Sequence, residues 1–295
     1  MRVSRGLDAR ADLSELTIAN AGDALVAAGA EIVNLDWLDE AIACDVVFEG
    51  LDCRMARRAL AEPLRDIPCD LVVQPRQGRR KDLLVADMDA TIVTGETLDD
   101  LAEHAGLKEP IAAITARAMN GEIDFKDALQ ERVAMLKGLP VSALEETVDR
   151  VRLTDGARTL VQTMREFGAY TVLVSGGFKF FTSRIAAAVG FHADQANRLE
   201  IIDHRLSGRV VEPILDKAAK LAALRRFAGD HNIPMSETLA TGDGANDLPM
   251  IQKAGMGVAF RAKPAVAAKA KICIRHGDLT ALLYLQGYRG GEFHR

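Results

Sequence analysis

Cysteine is scarce in this chain and is not spaced as in a metal site or a disulfide framework. The four cysteines, Cys44, Cys53, Cys69 and Cys273, are scattered, and no two of them form a Cys-x-x-Cys pair. Structural zinc sites and redox motifs depend on such close pairs, and disulfide-stapled domains are rich in cysteine. We therefore expect reduced thiols and a cytoplasmic protein.

Long apolar runs and a positive net charge are missing as well. No segment approaches the roughly 18 apolar residues of a membrane helix, and the N-terminus lacks the apolar core of a signal peptide. The formal net charge is -5, whereas general nucleic-acid binding relies on clustered Lys and Arg. The basic cluster Arg76, Arg79, Arg80 and Lys81 is expected to be a solvated linker, with a small binding patch as the alternative. These features predict no membrane and no nucleic-acid partner.

The chain has 48% hydrophobic residues, which can supply a sizeable core, and 295 residues allow two domains. Residues 1–78 predict a small α+β domain with helices near 19–28 and 53–64 and strands near 31–38, 41–48 and 69–74. This order resembles the ACT domain, a ligand-binding regulatory module, although the pattern shows no first strand before Ser14. The alternative is a structural unit, through which two copies could form a homodimer.

A short apolar strand that leads into two carboxylates is the central feature of the remaining chain. Leu83–Ala86 is a continuous apolar run, as in a strand buried on both faces of a parallel sheet, and Asp87 and Asp89 follow it. Side chains at i and i+2 share a face, so both can address one ligand at the carboxyl edge of the sheet. An ionised aspartate can act as a nucleophile while its neighbour handles a proton. A solvated acidic turn is the alternative.

From residue 155 onward, predicted strands and helices alternate, which indicates a parallel sheet. The strand 170–174 leads into Ser175-Gly176-Gly177, just before a helix that runs to Gly190. A hydroxyl and free backbone N–H groups at a helix N-terminus can bind a phosphate. A simple helix cap is the alternative.

A second strand ends in acidic residues later in the chain, where 238–241 is followed by Gly-Asp243-Gly-Ala-Asn246-Asp247. The glycines imitate part of a dinucleotide-binding fingerprint, but position 247 is Asp rather than Gly. We interpret the stretch as a metal-binding turn. Oxygen ligands without a nearby His or Cys favour Mg²⁺, which bridges carboxylates to a phosphate.

A helical segment at about 97–153 interrupts the alternation between strands. Phe125 and Arg132 are seven residues apart and therefore lie on nearly the same face of a helix. In a lid over the strand ends, they could hold an apolar stem and an anionic group. A surface arginine beside a core phenylalanine is the alternative.

The order and spacing of these motifs resemble the haloacid dehalogenase superfamily, and more closely its phosphoserine phosphatases. The resemblance covers about residues 82–285, with Ala90 as a departure because the family usually has Ser there. It implies an α/β fold with a Rossmann-like parallel-sheet core, a helical cap inserted at about 97–153, and a phosphatase domain over 79–295. The matching residues are Asp87-Met-Asp-Ala-Thr91, Glu96, Met119, Phe125, Arg132, Ser175-Gly-Gly-Phe178, Lys220 and Gly242-Asp-Gly-Ala-Asn-Asp247.

This resemblance implies Mg²⁺-dependent hydrolysis of O-phospho-L-serine, the last step of serine biosynthesis. Asp87 would attack phosphorus and form an aspartyl-phosphate, while Asp89 would protonate the leaving oxygen and later activate water. The Asp87 carboxylate, the Asp89 backbone carbonyl and Asp243 would hold Mg²⁺, and Asp247 would orient these ligands.

The resemblance also assigns the substrate contacts. Glu96 would pair with the substrate ammonium, and Arg132 would bind its carboxylate. Met119 and Phe125 would exclude water when the cap closes. The residues around the phosphate would be Ser175, Gly176, Lys220 and Asn246, with Lys217 as the alternative lysine.

Three other interpretations stay open. A related phosphatase or phosphotransferase could act on another small phosphorylated metabolite, and the pair Glu96 and Arg132 argues against it. A phosphoacceptor switch resembling a response-regulator receiver domain uses similar residues, but it has no use for an acid/base such as Asp89. An amino-acid sensor in residues 1–78 is the third interpretation.

Overall fold

The computed structural model describes residues 2–5, 13–119, 122–215 and 217–294, and it describes residues 2–5, 119 and 217 by their backbone alone. Two sheets organise these residues: a four-stranded sheet near the N-terminus and a seven-stranded sheet that begins at Leu83. None of the described helices is both long and apolar enough to cross a membrane.

The N-terminal unit is an antiparallel sheet packed with two helices around one apolar core. Its elements are β1 (Arg2–Arg5), α1 (Glu15–Ala27), β2 (Glu31–Asp39), β3 (Ala43–Glu49), α2 (Cys53–Ala61) and β4 (Cys69–Val72). The strand order β2-β3-β1-β4 with the chain order βαββαβ is that of ferredoxin-like domains.

The prediction of a small α+β domain is therefore confirmed, and the first strand that the sequence pattern did not show before Ser14 is present. The strand β1 pairs with both β3 and β4 at the centre of the sheet. Its sequence is Arg-Val-Ser-Arg. One apolar residue does not make the alternating pattern that indicates a strand. The boundary at residue 78 and the homodimer stay predictions.

The larger sheet holds β5 (Leu83–Ala86), β6 (Tyr170–Phe178), β7 (Ala193–Ile202), β8 (Arg205–Val211), β9 (Thr238–Gly242), β10 (Met256–Phe260) and β11 (Ile272–Ile274). Their order is β11-β10-β9-β5-β6-β7-β8, and β8 is the antiparallel member, paired with β7. The wholly buried strand β5 lies between β9 and β6, as its apolar run predicts. The motifs that follow these three strands therefore meet at one edge of the sheet.

Helices cover both faces of this sheet. The cap inserted between β5 and β6 contains α3 (Thr97–His104), α4 (Lys108–Met119), α5 (Phe125–Met135) and α6 (Val141–Arg150). The helices that follow are α7 (Ala157–Glu166), α8 (Lys179–Val189), α9 (Lys217–Asp230), α10 (Leu248–Lys253), α11 (Pro264–Ala267) and α12 (Ala281–Leu285). Leu84 and Ala86 enter one apolar core, and Leu83 and Val85 enter the other. The predicted α/β fold with a helical cap insertion is confirmed.

The basic linker is solvated only in part: Arg76 and Arg80 are exposed as expected, whereas Arg79 is half-buried and Lys81 is buried. Arg79 forms an ion pair with Asp45 and donates a hydrogen bond to the Leu285 carbonyl. Arg80 lies over the ring of Tyr288, and Lys81 is buried and donates hydrogen bonds to two backbone carbonyls. Through Arg79, this cluster joins the N-terminal unit to the C-terminal part of the larger domain.

Candidate active site

A cavity of about 140 Å³ opens at the carboxyl ends of β5, β6 and β9, next to the cap helices. Because these strands are neighbours in the sheet, residues far apart in the sequence line one space. The predicted site residues that line it are Asp87, Asp89, Glu96, Phe125, Arg132, Ser175, Gly176, Asp243 and Asn246. Met119 ends α4, and its side chain and that of Lys217 lie outside the described residues.

Behind the cavity, a buried lysine bridges two aspartates. The Nζ atom of Lys220 is 2.7 Å from Asp87 Oδ1 and 2.5 Å from Asp247 Oδ1. Burial acts to lower the pKa of Lys220, but the two carboxylates raise it above its ordinary value, so the lysine keeps its charge. Burial raises the pKa of Asp87 well above its usual range, and Lys220 opposes this shift.

The carboxylates form a cluster that could hold a metal ion. Oxygen atoms of Asp87, Asp243 and Asp247 lie within 4.8 Å of one another. Burial and the neighbouring Asp247 raise the pKa of Asp243, whereas Lys263 and Lys220 oppose this shift. The three carboxylates of the cluster outnumber these two lysines. A hard divalent cation fits this excess of negative charge and this set of oxygen donors. Asp247 already accepts hydrogen bonds from Lys220 and from the Gly244 N–H, one on each oxygen, so its place fits the predicted orienting role.

Asp89 is held by partners on both of its oxygens. Its Oδ1 accepts hydrogen bonds from the backbone N–H and the hydroxyl of Thr97, both at 2.8 Å. Its Oδ2 accepts a hydrogen bond from the Ser175 hydroxyl at 3.0 Å. Burial raises the pKa of Asp89 above its usual value, and the hydrogen bonds from Thr97 and Ser175 oppose that shift. These partners fix the orientation of the Asp89 carboxylate within the cavity. The Asp89 side chain lies outside the carboxylate cluster, and the role of its backbone carbonyl as a metal ligand stays a prediction.

The turn after β6 differs from the prediction. The strand runs on through Ser175-Gly-Gly to Phe178, and α8 begins at Lys179, so the glycines do not lie at a helix N-terminus. Phe178 pairs with Asn197 of β7 beyond a shift in register. The two glycines therefore lie in an irregular part of the strand. The Gly177 N–H donates to the Ser175 hydroxyl at 2.8 Å, which aims the hydroxyl into the cavity beside Asp89.

One acidic side chain just before the cap and one basic side chain within it also line the cavity. Glu96 precedes α3, and burial, together with Asp89 and Asp243, raises its pKa to about 7. Arg132 is held by its own helix, since its Nε donates to the Ala128 carbonyl at 3.2 Å. Phe125 lines the same cavity. Phe125 and Arg132 therefore share the site, as the lid interpretation requires.

Sequence reasoning missed Thr97, Gly177 and Lys263, which also line the cavity. Thr97 carries a signal, because it is a hydroxyl residue directly after Glu96 at a helix start. Gly177 was noticed only as part of a turn. Lys263 has no such signal: it reaches the site from the loop after β10, where its backbone N–H donates to the Asp243 carbonyl at 3.3 Å.

The chain is similar to phosphoserine phosphatases from several organisms. It is 42% identical to that of Streptomyces coelicolor over 247 residues, which cover 83% of this chain and 60% of that protein. It is 47% identical to that of Streptococcus thermophilus over 203 residues, 69% of this chain and 94% of that protein. For the Mycobacterium tuberculosis phosphoserine phosphatase SerB2, the match at 44% identity spans 72% of this chain and 52% of the relative. The match thus spans only 60% of the length of the Streptomyces coelicolor protein and 52% of that of SerB2.

Solved structures are also similar. A haloacid dehalogenase family hydrolase from Salmonella enterica serovar Typhi has a TM-score of 0.84 at 29% identity, covering 96% of this chain and 97% of its own. A substrate-bound phosphoserine phosphatase has a TM-score of 0.65 at 38% identity, covering 70% of this chain and 98% of its own. The match to the Salmonella hydrolase covers nearly all of this chain and therefore includes the N-terminal unit. The substrate-bound phosphoserine phosphatase is a shorter chain, and its match covers 70% of this chain.

A family model described as haloacid dehalogenase-like hydrolase matches residues 84–252. This range is more than half of the chain and contains all three strand ends that line the cavity, together with the cap. The chain belongs to the haloacid dehalogenase-like hydrolase family.

Proposed function

We propose that the protein is a Mg²⁺-dependent phosphoserine phosphatase, which hydrolyses O-phospho-L-serine to L-serine and phosphate as the last step of serine biosynthesis in the cytoplasm. The observation that carries this proposal is the placement of Glu96 and Arg132 in one cavity with Asp87 and Asp89. Such a cavity offers an anion for an ammonium, a cation for a carboxylate and a centre for phosphoryl transfer. The similarity to phosphoserine phosphatases over most of the chain supports the same substrate.

Asp87 and Asp89 would divide the chemistry between them. An oxygen of Asp87 attacks phosphorus as the bond from phosphorus to the seryl oxygen breaks. Asp89 then gives its proton to the departing seryl oxygen. Asp89, now ionised, then takes a proton from the water that attacks the aspartyl-phosphate. The two residues are thereby restored for the next turnover.

Several side chains would hold and balance the phosphate. Asp87, Asp243 and the Asp89 carbonyl would hold Mg²⁺, which when bound polarises the phosphoryl group and offsets its charge. The Ser175 hydroxyl and the Gly176 N–H would donate to phosphoryl oxygens, and Asn246 would help to position them. Lys220 is in contact with Asp87, so its first role is to hold the nucleophile, and a direct contact with the phosphate stays a prediction.

The cap would select the substrate. Glu96 pairs with the ammonium of phosphoserine, and the guanidinium of Arg132 binds its carboxylate. Phe125 lies over the turn after β6, since a Cβ atom added to Gly176 would be 3.4 Å from its ring. Closure of Phe125, together with Met119, would exclude water from the reacting phosphate.

The first experiment measures phosphate release from L-phosphoserine with Mg²⁺ or with EDTA, and p-nitrophenyl phosphate is assayed in parallel. The variants are Asp87→Asn, which removes the nucleophile with little change in shape, and Arg132→Ala. We expect Asp87→Asn and EDTA to abolish turnover of both substrates. Arg132→Ala should raise KM for phosphoserine about 10- to 100-fold, the equivalent of a hydrogen bond to a charged group, and leave the aryl ester nearly unaffected.

The two substrates test the role of Arg132 and separate the two candidate functions. Equal losses on both substrates would argue against a role in substrate selection. Cleavage of the aryl ester without cleavage of phosphoserine by the wild type would favour another small phosphorylated metabolite as the substrate.

A further inference from the structure

We propose that Thr97 is a positioning residue that determines which oxygen of Asp89 exchanges the proton during the reaction. It engages Oδ1, so that Oδ2 alone serves as the acid and the base. This inference rests on the proposed phosphatase function and concerns the protonation of the leaving group.

The contacts of Oδ1 carry the first step of the argument. Both the backbone N–H and the hydroxyl of Thr97 lie 2.8 Å from Asp89 Oδ1. A carboxylate oxygen has about two lone-pair sites, so these two donors fill Oδ1 and leave it no place for a proton. Thr97 is only 1% exposed, and water therefore does not replace it.

The surroundings of Oδ2 carry the second step. The Ser175 hydroxyl lies 3.0 Å from Oδ2 and itself receives the Gly177 N–H at 2.8 Å. A hydroxyl can rotate between partners. It can donate to Oδ2 while Asp89 is ionised, and it can turn toward a phosphoryl oxygen when Oδ2 carries the proton. The absence of a side chain at Gly177 keeps this oxygen accessible, since a Cβ atom there would be 3.2 Å from Oδ2.

The same oxygen then serves both half-reactions. As Asp87 bonds to phosphorus and the bond from phosphorus to the seryl oxygen breaks, the proton on Oδ2 moves to that oxygen. In the second half, Oδ2 accepts a proton from water, whose oxygen bonds to phosphorus while the bond to Asp87 breaks. One proton leaves Oδ2 and one returns, so Asp89 ends the cycle as it began.

Thr97 also links proton transfer to the cap. It is the first residue of α3 and directly follows Glu96, whereas Asp89 lies in the turn after β5. The two hydrogen bonds therefore tie the acid/base carboxylate to the element that carries the predicted ammonium partner. The orientation of Oδ1 therefore depends on the start of the cap.

The test uses leaving groups that differ in their need for a proton. Thr97→Val removes the hydroxyl at nearly constant shape, and Thr97→Ser retains it. For each, kcat/KM is measured with L-phosphoserine, with glycerol 2-phosphate, which is an alkyl ester without an ammonium, and with p-nitrophenyl phosphate, whose leaving group needs no proton. General acid catalysis is worth about 10²- to 10⁴-fold. We expect Thr97→Val to lower kcat/KM about 10- to 100-fold on both alkyl esters and little on the aryl ester. Thr97→Ser should stay close to wild type.

Other outcomes would overturn the proposal. Equal losses on all three substrates would indicate a purely structural role, and a loss on phosphoserine alone would indicate an effect through Glu96. An unchanged Thr97→Val, or a Thr97→Ser as poor as the valine variant, would also refute it. Thermal unfolding checks that Thr97→Val is folded, and Thr97→Ala replaces it if it is not. A wild type that cleaves only the other two esters would refute phosphoserine as the substrate, while the comparison of alkyl with aryl esters would still test Thr97.

Discussion

Lys220 is the residue on which the charge balance of the site depends. It contacts Asp87 and Asp247, and all three side chains are at most 7% exposed. Breaking a buried ion pair by removing one partner costs about 3–5 kcal/mol, because the remaining charge has no compensation. We expect Lys220→Met to lose this much unfolding free energy in EDTA and to lose turnover, as measured by urea denaturation and phosphate release.

Added Mg²⁺ should restore part of the stability of Lys220→Met, since a cation at the carboxylate cluster replaces the lost charge. The control is Lys108→Met, whose ion pair with Glu103 is 62% exposed on both sides and should therefore contribute little to stability. A Lys220→Met variant as stable as wild type in EDTA would contradict this account.

Glu96 should give the enzyme a pH dependence that is specific to its substrate. Burial is the largest cause that raises its pKa to about 7, Asp89 and Asp243 add to the shift, and Lys263 opposes it. Below that pH, Glu96 is neutral and cannot pair with an ammonium, so kcat/KM for phosphoserine should fall as the pH falls through about 7. A cation bound beside Asp243 moves this loss to lower pH.

The measurement is the ratio of kcat/KM for phosphoserine to that for p-nitrophenyl phosphate across pH, because kcat/KM reports the free enzyme. Glu96→Gln should make the ratio low and independent of pH. A ratio that keeps its slope in Glu96→Gln would assign the titration to another group.

At the scale of elements, the end of β6 tests how closely the site is packed. A Cβ atom on Gly177 would lie 3.1 Å from the Ser175 hydroxyl and 3.2 Å from Asp89 Oδ2. We expect Gly177→Ala to displace one of these side chains and lower kcat at least about 10-fold, since small misplacements of catalytic groups are costly. Steady-state kinetics on phosphoserine measures the effect.

Gly229→Ala is the matched control for that substitution. Gly229 lies in α9, and an added Cβ atom meets nothing within 4 Å. It should raise stability by roughly 0.5–1 kcal/mol through helix propensity and leave kcat unchanged. Full activity in Gly177→Ala would show that the turn is looser than these distances indicate.

The elements also differ in how well sequence reasoning predicts them. The strands β5 and β11 were predictable because continuous apolar runs ended at polar residues. The extension of β6 through Ser175-Gly-Gly was not, since glycines in the pattern indicate a turn, and only the pairing of Phe178 with Asn197 beyond them shows that the strand resumes. The strand β1 was missed for want of apolar residues, although its neighbours in the sheet stabilise it.

At the scale of the whole molecule, Asp70 joins the two units. It is 4% exposed at β4 and accepts hydrogen bonds from the backbone N–H groups of Arg275, His276 and Gly277. Asp70→Asn replaces an accepting oxygen by a donating amide that faces these N–H groups. Hydrogen bonds to a charged group are worth about 1.5–3 kcal/mol. We expect the free energy of unfolding to fall by at least this amount, as measured by thermal unfolding. The linker between β4 and β5 should also be cleaved faster by protease.

Arg289→Ala is the control for this interface. Arg289 pairs with Asp36 across the same units, but its side chain is 53% exposed, so its loss should cost less than about 1 kcal/mol. If Asp70→Asn is as stable and as resistant to protease as Arg289→Ala, the attachment does not depend on Asp70.

The sequence by itself determined the fold class and the position of the candidate site. Apolar strands followed by Asp87, Ser175 and Asp243 carry that information locally, because the end of a strand is visible in a few adjacent residues. The tertiary structure decided what depends on distances between remote residues: Lys220 lies behind Asp87, Thr97 occupies one oxygen of Asp89, and Lys263 reaches the cavity from a distant loop. Such contacts leave no periodic trace in the sequence, since packing creates them only after the strands have come together.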